Sequence, residues 1–216
     1  FYIVTSNKDY CSDHPYENLV SNQWVKRSEN VNVYYFSEEQ LNRENLAAVI
    51  KGVSSNTIYI NGIYSKFFSR APVQIAKKLE LKTIVSTRGM LSPYGLALKP
   101  LKKKFFLRFV NLVKFYNHVH FHVTIEEEKQ HVENVIKRYK SINVIPKFSR
   151  KSNTSITPIE KKAGELKLVS IGRIAPEKGT IDGITALQHC KGNVKLDLFG
   201  TIYDEKYWKE CKILEN

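Results

Sequence analysis

The chain has 216 residues, 42% of them hydrophobic and 25% charged, a composition typical of a globular protein rather than a disordered one. No apolar run approaches the roughly 20 residues that are needed to cross a bilayer. The chain does not begin with the basic segment and apolar core that are typical of a signal peptide. The cysteines are scattered without the spacing of metal ligands, which indicates reduced thiols and a cytoplasmic protein.

Short runs of β-branched and aromatic residues recur along the chain, with helical patterns between them. We predict strands at residues 1–5, 31–36, 57–60, 82–85, 119–124, 142–145, 166–171 and 194–199. Because the runs are short and are spaced for helical crossovers, they favour an open α/β sheet in which most strands are parallel. The sequence therefore predicts an α/β fold.

The chain also shows a candidate domain boundary. Residues 147–165 are rich in Ser, Asn and Thr, and a second sheet of the same kind is predicted from residue 164. We expect a first domain over residues 1–150, a linker over 151–163 and the start of a second domain over 164–216. The chain starts on a predicted strand without a methionine and stops within a helical pattern, so we expect a fragment of a longer protein.

Polar residues follow the predicted strands of the first domain. In an open α/β sheet, ligands bind beyond the carboxyl ends of the strands, where Asn61, Thr87, Arg88 and Gly89 are expected. Arg88 is a permanent cation that can bind an oxyanion, and the Asn61 amide both donates and accepts. The alternatives are a structural salt bridge for Arg88 and a tight turn at Asn61-Gly62.

Residues 118–128 contain two further candidate features. Thr124, followed by Glu127 and Glu128, is typical of a helix N-cap with acids near the positive helix end. His118, His120 and His122 alternate, so they share one face of a strand. A metal site there is the alternative to a structural role, but no acidic or cysteine partner completes it, and we predict no metal.

Basic charge is concentrated in one stretch. Residues 97–151 hold thirteen of the 34 Lys and Arg residues but only four acids. A predicted helix begins in this stretch and has the apolar residues Phe105, Phe109, Leu112 and Val113. Its basic residues are Lys99, Lys102, Lys103, Lys104 and Arg108. Three explanations of this basic stretch remain open. The helix face is simply solvated, it contacts an anionic membrane surface, or it binds nucleic acid, for which the charge is the only support.

A loop in the second domain has the features of an anion site. The strand 166–171 ends at Gly172, Arg173 and Lys178 follow, and Gly179 precedes a helical pattern. The free N–H groups at the start of the helix and the two cations would together bind an anion such as a diphosphate. The alternative is an ordinary strand-to-helix connection with two solvated charges.

This loop, Gly-Arg-(Ile-Ala-Pro-Glu)-Lys-Gly, resembles the donor-phosphate loop of glycosyltransferase family 4, whose members are retaining enzymes with the GT-B fold. The strand 194–199 with Gly200 is similar to the next strand of that family's donor domain. Residues 86–92 together with 97–103 give the most specific further match, and residues 59–65 and 121–128 also match in order. The resemblance implies two Rossmann-like domains, the second incomplete here.

The resemblance implies that a sugar is moved from a UDP- or GDP-sugar to a glycan or lipid-linked glycan acceptor, without a metal or other cofactor. It assigns Gly172, Arg173, Lys178 and Gly200 to the donor diphosphate, Arg88 and Asn61 to catalysis, and Thr87, Gly89 and Thr124 to the lining of the cleft. The protein would act in the cytoplasm, at the inner face of the membrane if the basic stretch binds lipid. The alternative function is a non-catalytic basic module that binds anionic membrane or nucleic acid.

The sequence departs from the family at several points. Gly89 stands where many members carry a histidine, and the family's glycine-rich first turn would precede Phe1. The acidic Glu-x7-Glu pair that holds the donor would follow Asn216. We therefore expect the fragment itself to be inactive.

Overall fold

A computed structural model of the chain describes residues 1–9, 12–148, 160, 162–202 and 204–214. The chain divides into two compact units, Phe1–Ser149 and Arg150–Asn216. Of the predicted linker 151–163, only residues 160, 162 and 163 lie within the described part.

The first unit alternates strands and helices. Its elements are β1 (Tyr2–Ser6), β2 (Trp24–Ser28), β3 (Val31–Phe36), α1 (Arg43–Gly52), β4 (Thr57–Asn61), α2 (Ala71–Lys78), β5 (Lys82–Ser86), α3 (Pro93–Ala97), α4 (Pro100–Leu112), β6 (Val119–Val123), α5 (Glu126–Val135) and β7 (Ser141–Val144). A single π-helical turn, Lys66–Arg70, leads into α2. The second unit consists of β8 (Glu165–Ile171), α6 (Thr180–Leu187), β9 (Asn193–Phe199) and α7 (Glu205–Ile213).

Strands β4 to β7 form a four-stranded sheet in that order, and every neighbouring pair is parallel. Alternate residues of these strands, including Ile60, Val85 and Phe121, are buried in the main hydrophobic core. Burial of each such side chain stabilises the fold by about 1.5–3 kcal/mol. The prediction of an α/β fold with parallel strands is confirmed, and the sheet with its crossover helices is compatible with a Rossmann-like fold.

Strands β1, β3 and β2 form a smaller sheet. β1 pairs with β3 in parallel, which agrees with the expectation of mostly parallel strands, whereas β2 pairs with β3 antiparallel. Strand β2 is not predicted from the sequence. Its Trp24 ring packs edge-on against Tyr2 and Tyr34, with ring centroids 5.2 and 5.4 Å apart, so contacts across the sheet stabilise a polar edge strand. A second core cluster, which includes Phe36 and Leu46, packs between this sheet and helices α1 and α2.

Helix α4 packs on the main core through Leu107 and Val110. The apolar face noted in the sequence, with Phe105 and Phe109, is exposed. None of the helices in the described part of the chain is long and apolar enough to cross a membrane.

The second unit contains a parallel pair of strands, as predicted. β8 and β9 pair over their whole length, from Glu165 opposite Asn193 to Ile171 opposite Phe199. Helices α6 and α7 contact one another, and the Tyr207 hydroxyl of α7 accepts a hydrogen bond of 3.0 Å from the backbone N–H of Ile181 in α6.

Candidate functional site

The first candidate site lies at the carboxyl edge of the four-stranded sheet. Asn61 is the last residue of β4 and pairs with Ser86, the last residue of β5. Thr87, Arg88 and Gly89 follow β5 directly, and Thr124 follows β6. Since neighbouring parallel strands end together at this edge, the residues predicted to form one site in this domain are indeed neighbours.

Arg88 and Asn61 are in direct contact. The Arg88 Nε–H donates a hydrogen bond of 2.9 Å to the Asn61 Oδ1 atom, and both side chains are exposed. No ion pair joins Arg88 to a carboxylate among the described residues, so the salt bridge considered from the sequence is not observed there. The guanidinium charge is thus held at the strand ends by a neutral amide.

The backbone around Arg88 has an uncommon conformation. Arg88 has a φ of 52°, in the left-handed region, and Gly89 follows with a φ of 71°. A left-handed conformation costs a residue with a Cβ roughly 1–2 kcal/mol. Open space surrounds the position where a Cβ of Gly89 would lie. The backbone angle, rather than crowding, therefore favours glycine at this position.

Glu128 organises the loop that carries Arg88. Its Oε1 atom accepts hydrogen bonds of 2.8 Å from the Thr87 hydroxyl and of 2.8 Å from the Gly89 N–H. Its Oε2 atom accepts from the Thr124 N–H at 2.9 Å and from the Thr124 hydroxyl at 3.2 Å. The buried carboxylate of α5 therefore connects the two loops that follow β5 and β6.

The protonation of Glu128 follows from these contacts. Burial by itself would raise the pKa of the carboxyl group, because it disfavours the charged form. The N–H groups of Thr124 and Gly89 and the hydroxyls of Thr87 and Thr124 act in the opposite direction and together lower the pKa below its usual value. Glu128 is therefore a carboxylate at neutral pH and holds the loop as a charged acceptor.

The predicted role of Thr124 as N-cap is wrong. The N-cap of α5 is Ile125, which provides no side-chain hydrogen bond. The Thr124 hydroxyl donates to Glu128 instead of accepting a helix N–H. The helix begins one residue later than predicted.

The three alternating histidines make separate contacts, and His118 Nδ1 lies 3.3 Å from the Asn117 Oδ1 atom. His120 Nδ1 lies 2.8 Å from the Ser141 hydroxyl. His122 Nδ1 lies 2.6 Å from the Tyr59 hydroxyl, and its Nε2 lies 2.9 Å from the Ile145 carbonyl oxygen. In the described part of the chain, no group of three or more His, Cys, Asp and Glu side chains is arranged to hold a metal ion.

The second candidate site is the loop after β8. A Cβ built on Gly200 would lie 1.8 Å from the Gly172 carbonyl oxygen, so the loop after β9 packs directly on this backbone. Packing alone therefore requires glycine at residue 200, whether or not a ligand binds there. The Cε atom of Lys178 lies 3.9 Å from the position of a Gly172 Cβ, which places its side chain beside the turn. The two glycines and Lys178 are therefore close together.

Arg173 and Glu177 form an ion pair within this loop, with 3.2 Å between Nη2 and Oε1. Lys178 ends a short 3₁₀ turn, and Gly179, with a φ of 63°, is the N-cap of α6. A strand, a basic loop and a helix N-terminus thus follow one another as predicted. Glu177 is a partner of Arg173 that the sequence analysis did not identify.

Comparisons with known proteins found no match: no family model, no curated protein and no solved structure is similar to this chain at a significant level.

Proposed function

We propose that this chain is part of a retaining glycosyltransferase of the GT-B type, which transfers a sugar from a UDP- or GDP-sugar to a glycan or lipid-linked glycan. The observation that carries the proposal is the loop after β8, in which Arg173 and Lys178 follow Gly172 and precede the N-terminus of α6. The resemblance of this loop to the donor loop of glycosyltransferase family 4 supplies the substrate class.

In the proposed reaction, the bond between the sugar and the diphosphate breaks, and a new bond forms between the sugar and the oxygen of the acceptor hydroxyl. Negative charge develops on the leaving phosphate, which takes up the proton that the acceptor hydroxyl loses. Arg173 and Lys178 stabilise that charge as fixed cations, and the positive end of the α6 dipole adds to this, while the Ile181 N–H donates to Tyr207. The Arg173–Glu177 ion pair holds the guanidinium in the loop before the donor binds. A diphosphate, which carries more negative charge than one carboxylate, then competes with Glu177 for Arg173.

We assign the acceptor side of the reaction to the edge of the four-stranded sheet. Arg88, fixed by Asn61, positions an acceptor hydroxyl or stabilises the departing phosphate through its permanent positive charge. Glu128 does not contact the substrate in this proposal. It positions the loop of Thr87 and Gly89 and the turn at Thr124 through its hydrogen bonds.

The proposal is tested by titrating the ¹⁵N-labelled chain with UDP and with GDP and following the amide resonances of Gly172, Gly179 and Gly200. We expect both nucleotides, or one of them, to shift these resonances at millimolar concentration or below. The double variant Arg173→Ala/Lys178→Ala should weaken binding at least about tenfold, because each lost charged hydrogen bond costs about 1.5–3 kcal/mol. The control variant Lys167→Ala/Lys206→Ala removes the same charge from exposed positions of the same unit and should bind as the wild type does.

Two results would contradict the proposal. One is the absence of shifts at the three glycines with either nucleotide, and the other is equal binding by the double variant and its control. Binding to RNA or heparin alone, with a steep dependence on salt, would favour the non-catalytic basic module instead.

A further inference from the structure

Helix α4 carries apolar residues on two opposite faces. Leu107 and Val110 pack in the core. The opposite face holds Leu101, Phe105, Phe109 and Leu112, whose exposures are 70%, 68%, 59% and 80%. These four residues are spaced by four, four and three positions, so they form one continuous row along the helix. We call this row the outer stripe.

The outer stripe is bordered by positive charge. At 100° per residue, Lys102 lies along one side of the stripe, and Lys104 and Arg108 lie along the other. All three side chains are exposed, and α4 contains no acidic residue. The outer face of α4 therefore combines a large apolar surface with cations on both of its sides.

Lys103, which the sequence analysis grouped with these cations, has a different position. Its Nζ donates to the Gly95 carbonyl oxygen and lies 5.0 Å from the centre of the Tyr64 ring. Burial, and then the neighbouring charge of Lys99, lower the pKa of Lys103. The basic residues of α4 are thus divided between one that holds the helix to the protein and three that face outwards.

We infer that the outer stripe binds to the surface of an anionic phospholipid bilayer, with α4 parallel to the membrane plane. Phenylalanine and leucine side chains enter the boundary between headgroups and acyl chains, while the flanking Lys and Arg contact lipid phosphates. A helix of 13 residues is about 20 Å long and lies on the surface rather than crossing it. This inference does not rest on the proposed glycosyltransferase activity.

Charge complementarity selects the bilayer over the other occupants of such a face. If two copies of the chain packed stripe to stripe, their Lys102, Lys104 and Arg108 side chains would be brought together and would repel one another. Nucleic acid would satisfy the cations, and its bases could stack on Phe105 and Phe109, but it would leave the exposed aliphatic side chains of Leu101 and Leu112 without an apolar partner. An anionic bilayer supplies phosphates and hydrocarbon side by side, as the two parts of the face require.

Flotation of the whole chain with lipid vesicles tests the inference. The chain should float with phosphatidylcholine vesicles that contain about one third phosphatidylglycerol and should bind pure phosphatidylcholine at least about tenfold more weakly, because each Lys or Arg near an anionic surface strengthens binding about fivefold. The double variant Phe105→Ser/Phe109→Ser should lose at least about tenfold in binding to the anionic vesicles. Its control, Val20→Ser/Ile125→Ser, changes two exposed apolar residues elsewhere in the unit and should bind as the wild type does.

A charge variant shows whether the vesicles contact the cations beside the outer stripe or are attracted only by the net positive charge of the chain. Lys102→Gln/Lys104→Gln/Arg108→Gln should weaken binding at least about tenfold. A control with three Lys→Gln changes at exposed positions of other elements removes the same charge and should weaken binding less than about threefold, because screening limits distant charges. These control positions are Lys26, Lys51 and Lys209.

Insertion of the outer stripe into the bilayer is measured with the variant Phe109→Trp. Lipids brominated on their acyl chains should quench the fluorescence of this variant beyond that of the wild type, which contains Trp24 and Trp208. The inference is overturned if anionic vesicles do not bind the chain, if the stripe and charge variants bind like their controls, or if no added quenching occurs. It is also overturned if the wild type is a dimer that Phe105→Ser/Phe109→Ser dissociates without vesicles, since a second copy would then cover the stripe.

Discussion

Replacement of Glu128 by glutamine provides the sharpest test of the sheet-edge site. The glutamine keeps one acceptor oxygen, which serves either Thr87 and Gly89 or the two donors of Thr124. Its NH₂ group then faces the two remaining donors: the hydroxyl can rotate and accept from it, whereas the backbone N–H loses its acceptor. A buried donor without a partner costs about 1–3 kcal/mol, so we expect a loss of about 2 kcal/mol in the free energy of unfolding. For a protein of this size, that loss lowers Tm by about 4–8 °C.

The pH dependence identifies the charge as the cause. Because the pKa of folded Glu128 is lowered, its stabilising contribution is complete above the usual glutamate pKa of about 4.3. As the pH falls through the lower pKa of the folded state, the carboxylate is protonated and the contribution is lost. The difference in stability between the wild type and Glu128→Gln should therefore be constant from pH 7 to about 5 and should shrink below that.

The assay is urea unfolding followed by the fluorescence of Trp24, which lies in the first unit, in a Trp208→Phe background. Glu127→Gln is the matched control, because Glu127 is exposed and its ion pair with His131 has a separation of 3.8 Å. The control should change the free energy of unfolding by less than about 0.5 kcal/mol. Equal stabilities of the two variants, or a difference that persists unchanged at pH 4, would refute the role given to Glu128.

Two further variants test backbone positions at the candidate sites. Gly200→Ala should cost at least about 2 kcal/mol, because its Cβ would collide with the Gly172 carbonyl, whereas Gly183→Ala, in open space on α6, should be neutral or stabilising. Trp208 fluorescence in a Trp24→Phe background reports this unit, and equal effects of the two substitutions would contradict the packing described. Arg88→Gly should be about 1 kcal/mol more stable than Arg88→Ala, because glycine tolerates the left-handed backbone at residue 88. Equal stabilities of these two variants would show that the loop relaxes when the side chain is removed.

The parallel strands could be predicted because each consists of a short apolar run whose side chains pack in the core beside the sheet. Thr57–Asn61 and Lys82–Ser86 differ from their predicted bounds by only one residue. Because ligands bind beyond the carboxyl ends of parallel strands, the sequence also predicts that Asn61 and Arg88 lie at one site. By contrast, β2 has the sequence Trp-Val-Lys-Arg-Ser, and aromatic contacts from other strands hold it in place. Such contacts are not encoded in the local pattern.

From the sequence, Glu128 is expected only as one of the acids near the positive end of the helix that follows Thr124. A signal was nevertheless present. Val132 follows it by four residues, and residues at this spacing share a helix face, so Glu128 lies on the face that Val132 buries. Glu126 and Glu127 fall on the exposed side. The polar partners of the carboxylate come from the loop after another strand and could not be identified from the sequence.

The position of the basic charge also depends on tertiary contacts. Helix α4 has two apolar faces, and periodicity cannot decide which of them meets the core. The core takes Leu107 and Val110, and Lys103 fastens the helix to the α3 segment through the Gly95 carbonyl. Lys129, elsewhere in the basic stretch, pairs with Glu126. These two charges have partners within the protein, whereas Lys102, Lys104 and Arg108 remain exposed as a local cluster beside the outer stripe of α4. The charge variant of α4 and its distant control distinguish such a local cluster from a uniformly basic surface.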